Sequence, residues 1–294
     1  MTYAHILVGA GQSPASPVIR RVVPSDLRDA LARGLEDFLA MPSHAIFLCV
    51  IYPLIGMLLI GLTFDYSLFP MVFPIVAGYA LVGPFAAIGL YELSRRREAG
   101  LETSSIHAFA VVHSPSLGAI VALGFLLMAI FLLWLVVAEA IYIADFGYVS
   151  AVSVRGFLHG VFDTPAGWKL IIFGTGVGFL FAALVLTIGV VSFPLLVDRD
   201  VGAAVALLTS IRVVAHNPVT MALWGFIVAA LLVIGSIPLL LGLTVVMPVL
   251  GHATWHLYRK AVEPDPNPRP DYEPRERAPK YAADFPSALF PTRR

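Results

Sequence analysis

The chain has 294 residues, 59% of them hydrophobic and only 13% charged, with a mean hydropathy of +0.86. A soluble domain carries about 25% charged residues, and a chain this apolar cannot bury its own surface in water; the composition excludes a soluble globule and makes the bilayer part of the solvent. Formal net charge is zero, and a single cysteine, Cys49, excludes an intramolecular disulfide.

Residues 1–23 read as a flexible N-terminal arm. They lack the apolar core and small-residue cleavage site of a signal peptide, so insertion is expected to rely on the spanning helices. Pro24 opens a helix to Ala40, with Ser25 and Asp26 as cap and first-turn acid. Leu27, Leu31, Leu35, Phe38 and Leu39 share one face. Arg28, Asp29, Arg33, Glu36 and Asp37 share the other.

Six membrane spans follow, at about 43–63, 68–93, 117–144, 167–197, 219–235 and 237–258. Pro70, Pro74 and Pro84 fall inside the second, which is expected to be kinked and packed against neighbours. Amphipathic segments at 103–113 and 201–215 precede the third and fifth spans. Residues 145–166 read as the longest loop. Gly174, Gly176 and Gly178 in the fourth span would admit a close neighbour. From 261 the chain becomes a Pro-rich tail, with eight prolines in 34 residues and no means of packing a core.

One pattern repeats. Leu35, Phe38 and Leu39 precede Pro42; Ala108, Val111 and Val112 precede Pro115; Ile211, Val214 and Ala215 precede Pro218. The offsets from each proline are the same. Proline ends each amphipathic segment, and a long apolar run follows. The fold class expected is therefore all-α: a polytopic membrane bundle of six transmembrane helices in three two-helix units, each preceded by an interfacial helix.

Six spans place both termini on one side. Of the 19 basic residues, only Arg155 and Lys169 fall on the other side. Positive residues stay cytoplasmic, so the expected location is the bacterial cytoplasmic membrane with both termini inside. Basic residues at that face follow from topology and do not point to nucleic acid.

The histidines gather at the same level. His44 opens the first span, His113 and His216 each lie two residues before a unit's proline, and His252 and His256 lie four apart near the end of the sixth. Glu92 ends another span there. An i, i+4 histidine pair suits a metal or haem, but no helix carries a full ligand set, and interfacial histidines also cap helix ends. A polar site for an anionic lipid or small metabolite is the remaining reading. No metal or cofactor is expected. Glu139, well inside the third span, is either a packing residue near the outer surface or a proton or ion group. No nucleophile elbow, phosphate loop or paired-carboxylate motif occurs, so no enzymatic activity is expected.

Three stretches carry a family resemblance: Asp26-Leu27-Arg28 through Met41-Pro42-Ser43-His44, Gly83-Pro84 through Tyr91-Glu92-Leu93-Ser94-Arg95-Arg96-Arg97-Glu98, and Gly251-His252-Ala253-Thr254-Trp255-His256-Leu257-Tyr258-Arg259-Lys260. Together they resemble an uncharacterised family of bacterial integral membrane proteins known only as a domain of unknown function. Some relatives carry a label suggesting cytochrome c oxidase subunit I. The resemblance implies six spans and brings no activity. The expected role is an accessory subunit, assembly factor or scaffold of a larger inner-membrane complex, a respiratory one among the candidates, with membrane lipids and other subunits as partners. The alternative is a transporter or lipid-binding protein with a polar site at the cytoplasmic level.

Overall fold

A computed structural model describes residues 17–41, 69–79, 83–148, 153–238 and 240–265, with a few positions between 50 and 61. Among the described residues the regular structure is helical: α1 (Pro24–Ala40), α2 (Val72–Tyr79), α3 (Gly83–Ala86), α4 (Ile88–Glu98), α5 (Leu117–Phe146), α6 (Val154–Asp163), α7 (Pro165–Asp198), α8 (Gly202–His216), α9 (Pro218–Ser236) and α10 (Leu243–Ala261), with a 3-10 helix at Ser105–His113. The protein is an all-α membrane bundle.

Of these, α5, α7 and α9 are long and apolar enough to cross a bilayer. Among the described residues, they correspond to the third, fourth and fifth of the six spans expected. Most of the first span, 43–63, lies outside the described residues. The second comprises, among the described residues, α2, α3 and α4, with Pro74 inside α2, Pro84 inside α3, and a 3-10 turn at Phe69–Met71 before them. The sixth starts only at Leu243, because Leu240 takes a left-handed backbone (φ 67°) that no helix continues through.

Near two prolines, side chains of neighbouring helices hydrogen-bond to the helix backbone. Pro194 sits inside α7 and cannot donate. One turn earlier the Ser210 hydroxyl of α8 enters the ladder. It accepts from Val191 N–H (3.2 Å) and donates to the Thr187 carbonyl (2.7 Å). In α2, the Pro74 carbonyl receives the Trp134 indole N–H of α5 at 2.9 Å.

The face that α1 buries differs from the one expected. Leu27, Ala30, Gly34, Asp37 and Phe38 are buried, while Leu35 and Leu39 are exposed. The contact that decides this is with α10. A β-carbon at Gly34 would stand 2.6 Å from the Ala253 backbone nitrogen, so the two helices cross with backbone nearly touching. The cap also differs: the Val23 N–H donates to Asp26 Oδ2 at 2.9 Å, with Pro24 as the first helical residue.

Two further expectations are corrected. The loop expected at 145–166 contains α6, an amphipathic helix capped by Ser153, whose hydroxyl accepts from Gly156 N–H at 3.0 Å. Thr164 ends α6 and caps α7 through Gly167 N–H. Nor are residues 17–23 a loose arm. Ile19 bridges antiparallel to Val262, Arg20 N–H donates to Ala261 O at 2.8 Å, and Glu263 N–H donates to Val18 O at 2.9 Å. Asn217, at the α8–α9 corner, holds the same strand through Val22 N–H (2.8 Å) and Arg20 O (3.2 Å). Residues 1–16 and 266–294, the rest of the expected arm and tail, lie outside the described residues.

Candidate functional site

The ends of α1, α4, α7 and α10 meet in a polar layer. At its centre is Asp37, 5% exposed. Ser94 Oγ donates to Asp37 Oδ2 at 2.6 Å, and His256 Nε2 reaches the same oxygen at 2.9 Å. Arg97 Nη1 pairs with Oδ1. His252 Nδ1 lies 2.7 Å from Ser94 Oγ and 3.9 Å from the carboxylate.

Proton bookkeeping assigns the tautomers. An ionised carboxylate only accepts, so the one Ser94 proton goes to Asp37, and His252 must donate to Ser94 through Nδ1–H. His252 Nε2 is fully buried and meets no hydrogen-bond partner. By the same argument His256 donates through Nε2–H. Burial works against the Asp37 carboxylate, but the hydrogen bonds from His256 and Ser94 and the nearby imidazoles outweigh it. The net effect holds the group below the usual carboxylate range.

Around this centre the charges are paired. Glu92, fully buried, takes a two-pronged contact from Arg95 (2.7 and 2.8 Å), with Arg96 3.9 Å away. Glu98 accepts from Trp255 Nε1 and from Arg259, each at 3.0 Å. Asp198 accepts from the Tyr258 hydroxyl at 2.6 Å and pairs with Arg199 at 3.3 Å. Lys260 bridges to Asp29 (2.7 Å) and Asp26 (3.4 Å) on α1; the hydrogen bond to Asp29 leads in raising the Lys260 pKa above its ordinary value.

Of the residues singled out from sequence, Glu92, His252 and His256 are brought into this layer. His113, His216 and Glu139 are exposed and make no part of it. His44 lies outside the described residues. Asp37 and Ser94 were missed. Charge alone assigns Asp37 to the polar face of α1, yet its spacing from Leu27, Ala30 and Gly34 puts it on the buried stripe; the small residues Ala30 and Gly34 are the signal. Among the described residues, no three His, Cys, Asp or Glu side chains form a metal-ligand group. A cavity of about 100 Å³ lies beside the layer, lined from α3, α4, α7, α9 and α10.

The family model described as a predicted integral membrane protein, DUF2189, matches residues 72–198. Over these residues the chain is similar to that family. The DUF2189 segment runs from α2 to the end of α7 and includes Glu92, Ser94 and the arginine run. Asp37, His252 and His256 lie outside it, so the polar layer joins the family segment to helices on either side of it in sequence. Neither a curated protein nor a solved structure matches the chain. The oxidase label and the count of six helices find no support in these comparisons.

Proposed function

We propose that the protein is a non-catalytic subunit, assembly factor or scaffold of a larger bacterial inner-membrane complex, with both termini cytoplasmic. The observation that supports this is the internal pairing of the polar layer. Asp37, Glu92, Glu98 and Asp198 each engage cations or donors of the same chain, so the layer clamps four helices together. Meanwhile α5 and α9 bury only 33% and 22% of their most apolar stretches within the chain. That leaves broad apolar surface for lipid or for neighbouring subunits. Arg20, Arg95 to Arg97, Arg199, Arg259 and Lys260 gather at one end of the bundle, while Lys169 sits a 30-residue helical rise away on α7, about 45 Å. The positive-inside rule makes the crowded end cytoplasmic.

Native mass spectrometry of the gently extracted, tagged protein is the test. Stoichiometric co-purifying membrane subunits are expected; a lone chain under mild detergent overturns the reading. Labelling of a C-terminal tag in intact cells tests the orientation, and labelling from outside reverses it. A second reading, binding of a small membrane-soluble molecule, is favoured by one observation, the cavity beside Tyr91 and Trp224.

A further inference from the structure

We infer that this cavity is a binding site for a neutral, carbonyl-bearing molecule with a long apolar tail, entering from the bilayer. This deepens the second reading above and does not depend on partner subunits.

Two donors carry the inference. Tyr91 is 2% exposed and Trp224 is 1% exposed, and both line the cavity. Among the described residues, neither the Tyr91 hydroxyl nor the Trp224 indole N–H makes a hydrogen bond, yet neither is sealed from space as His252 Nε2 is. Both side chains line the cavity, which puts the two donors beside one space. Buried Tyr and Trp ordinarily find a partner for their polar tip, and a donor left without one costs free energy. The two contribute from different helices, α4 and α9, to one space.

The walls define the rest of the ligand. The lining is predominantly apolar, including Leu186, Val190, Met247 and Leu250, and no charged side chain among the described residues lines it. A charged headgroup would be left unpaired there, which burial penalises heavily. The occupant is neutral and supplies acceptors to the two donors. A volume of about 100 Å³ is below that of a cavity that holds a benzene ring. It takes an ester or a compact carbonyl head, not a whole lipid. Leu186, Val228 and Leu232 are half-exposed on the apolar α7 and α9, so the tail has a way out sideways. An acyl ester has this chemistry, whereas a six-membered ring exceeds the space.

The test uses thermal unfolding of the full-length protein in mild detergent. Three probes are titrated separately: methyl palmitate, monoolein, and dodecane as a tail without an acceptor. A carbonyl probe is expected to raise the midpoint in a saturable way, and which one does so identifies the source. Dodecane is expected to do nothing. Tyr91→Phe removes only the hydroxyl. It is expected to melt no lower than the parent without ligand, and to need about tenfold more probe, the worth of one hydrogen bond. Val228→Phe fills the cavity and is expected to abolish the response. The inference is overturned if neither carbonyl probe shifts the parent, if dodecane shifts it equally, or if both variants respond as the parent does. A ligand-free Tyr91→Phe protein that melts several degrees lower also overturns it, since the hydroxyl would then be already paired.

Discussion

Gly34 of α1 and Ala253 of α10 touch backbone to backbone: the missing β-carbon of Gly34 would lie 2.6 Å from the Ala253 nitrogen and 2.7 Å from its β-carbon. This crossing brings Asp37, one turn later on α1, onto Ser94 and His256. Packing and polar chemistry are thus set by one small residue.

Gly34→Leu is expected to force α1 off α10 and to cost about 1–3 kcal/mol, the range for overpacking a tight contact. Chemical unfolding in detergent measures it. Leu35→Ala, one residue on but 45% exposed, is expected to change stability far less.

The hydroxyl of Ser210 substitutes for a backbone bond in α7. Ser210→Ala leaves Val191 N–H and the Thr187 carbonyl without that bridge and should cost about 1–3 kcal/mol. Pro194→Ala supplies an N–H to the Val190 carbonyl, one turn from this bridge. A double-mutant cycle with Ser210→Ala reads how far the two sites are coupled.

The Asp37 carboxylate titrates below its ordinary 3.8 in the folded protein, because its hydrogen-bond donors outweigh its burial. A folded value below the unfolded one stabilises the protein above the unfolded value, and this is lost as pH falls through the folded value. Asp37→Asn is therefore expected to cost about 1.5–3 kcal/mol near neutrality, the range for hydrogen bonds to a charged group. The gap between parent and variant should shrink below pH 3.8. A gap independent of pH down to strong acid would show that charge at Asp37 is not what the neighbours recognise.

Asn217 holds the strand at 20–22 to the α8–α9 corner with two hydrogen bonds, to Val22 N–H and Arg20 O, and is itself fixed by a third to Val213 O of α8. Asn217→Ala is expected to cost about 1–3 kcal/mol and to open residues 18–23 to proteolysis. Limited proteolysis with mapping of the cut sites checks it.

Much of the helical layout was written in the sequence. The ends of α5, α7 and α9 fall within two residues of the apolar runs 117–144, 167–197 and 219–235, since apolarity over such lengths depends on composition alone. The neighbour of each helix was not written there. A helix apolar on every side has no preferred face to read, and α1 was read as turning its leucines inward when its small residues make the contact. Leu35 and Leu39 face outward because Gly34 permits a closer approach than any leucine could. Asp37, Ser94 and His252 lie 57 and 158 residues apart in sequence, and only the folded chain brings a carboxylate, a hydroxyl and an imidazole to one point. Sequence determined that the chain lives in lipid and where its long helices run; tertiary packing alone decided which polar groups share a site, because that depends on how closely backbones can approach.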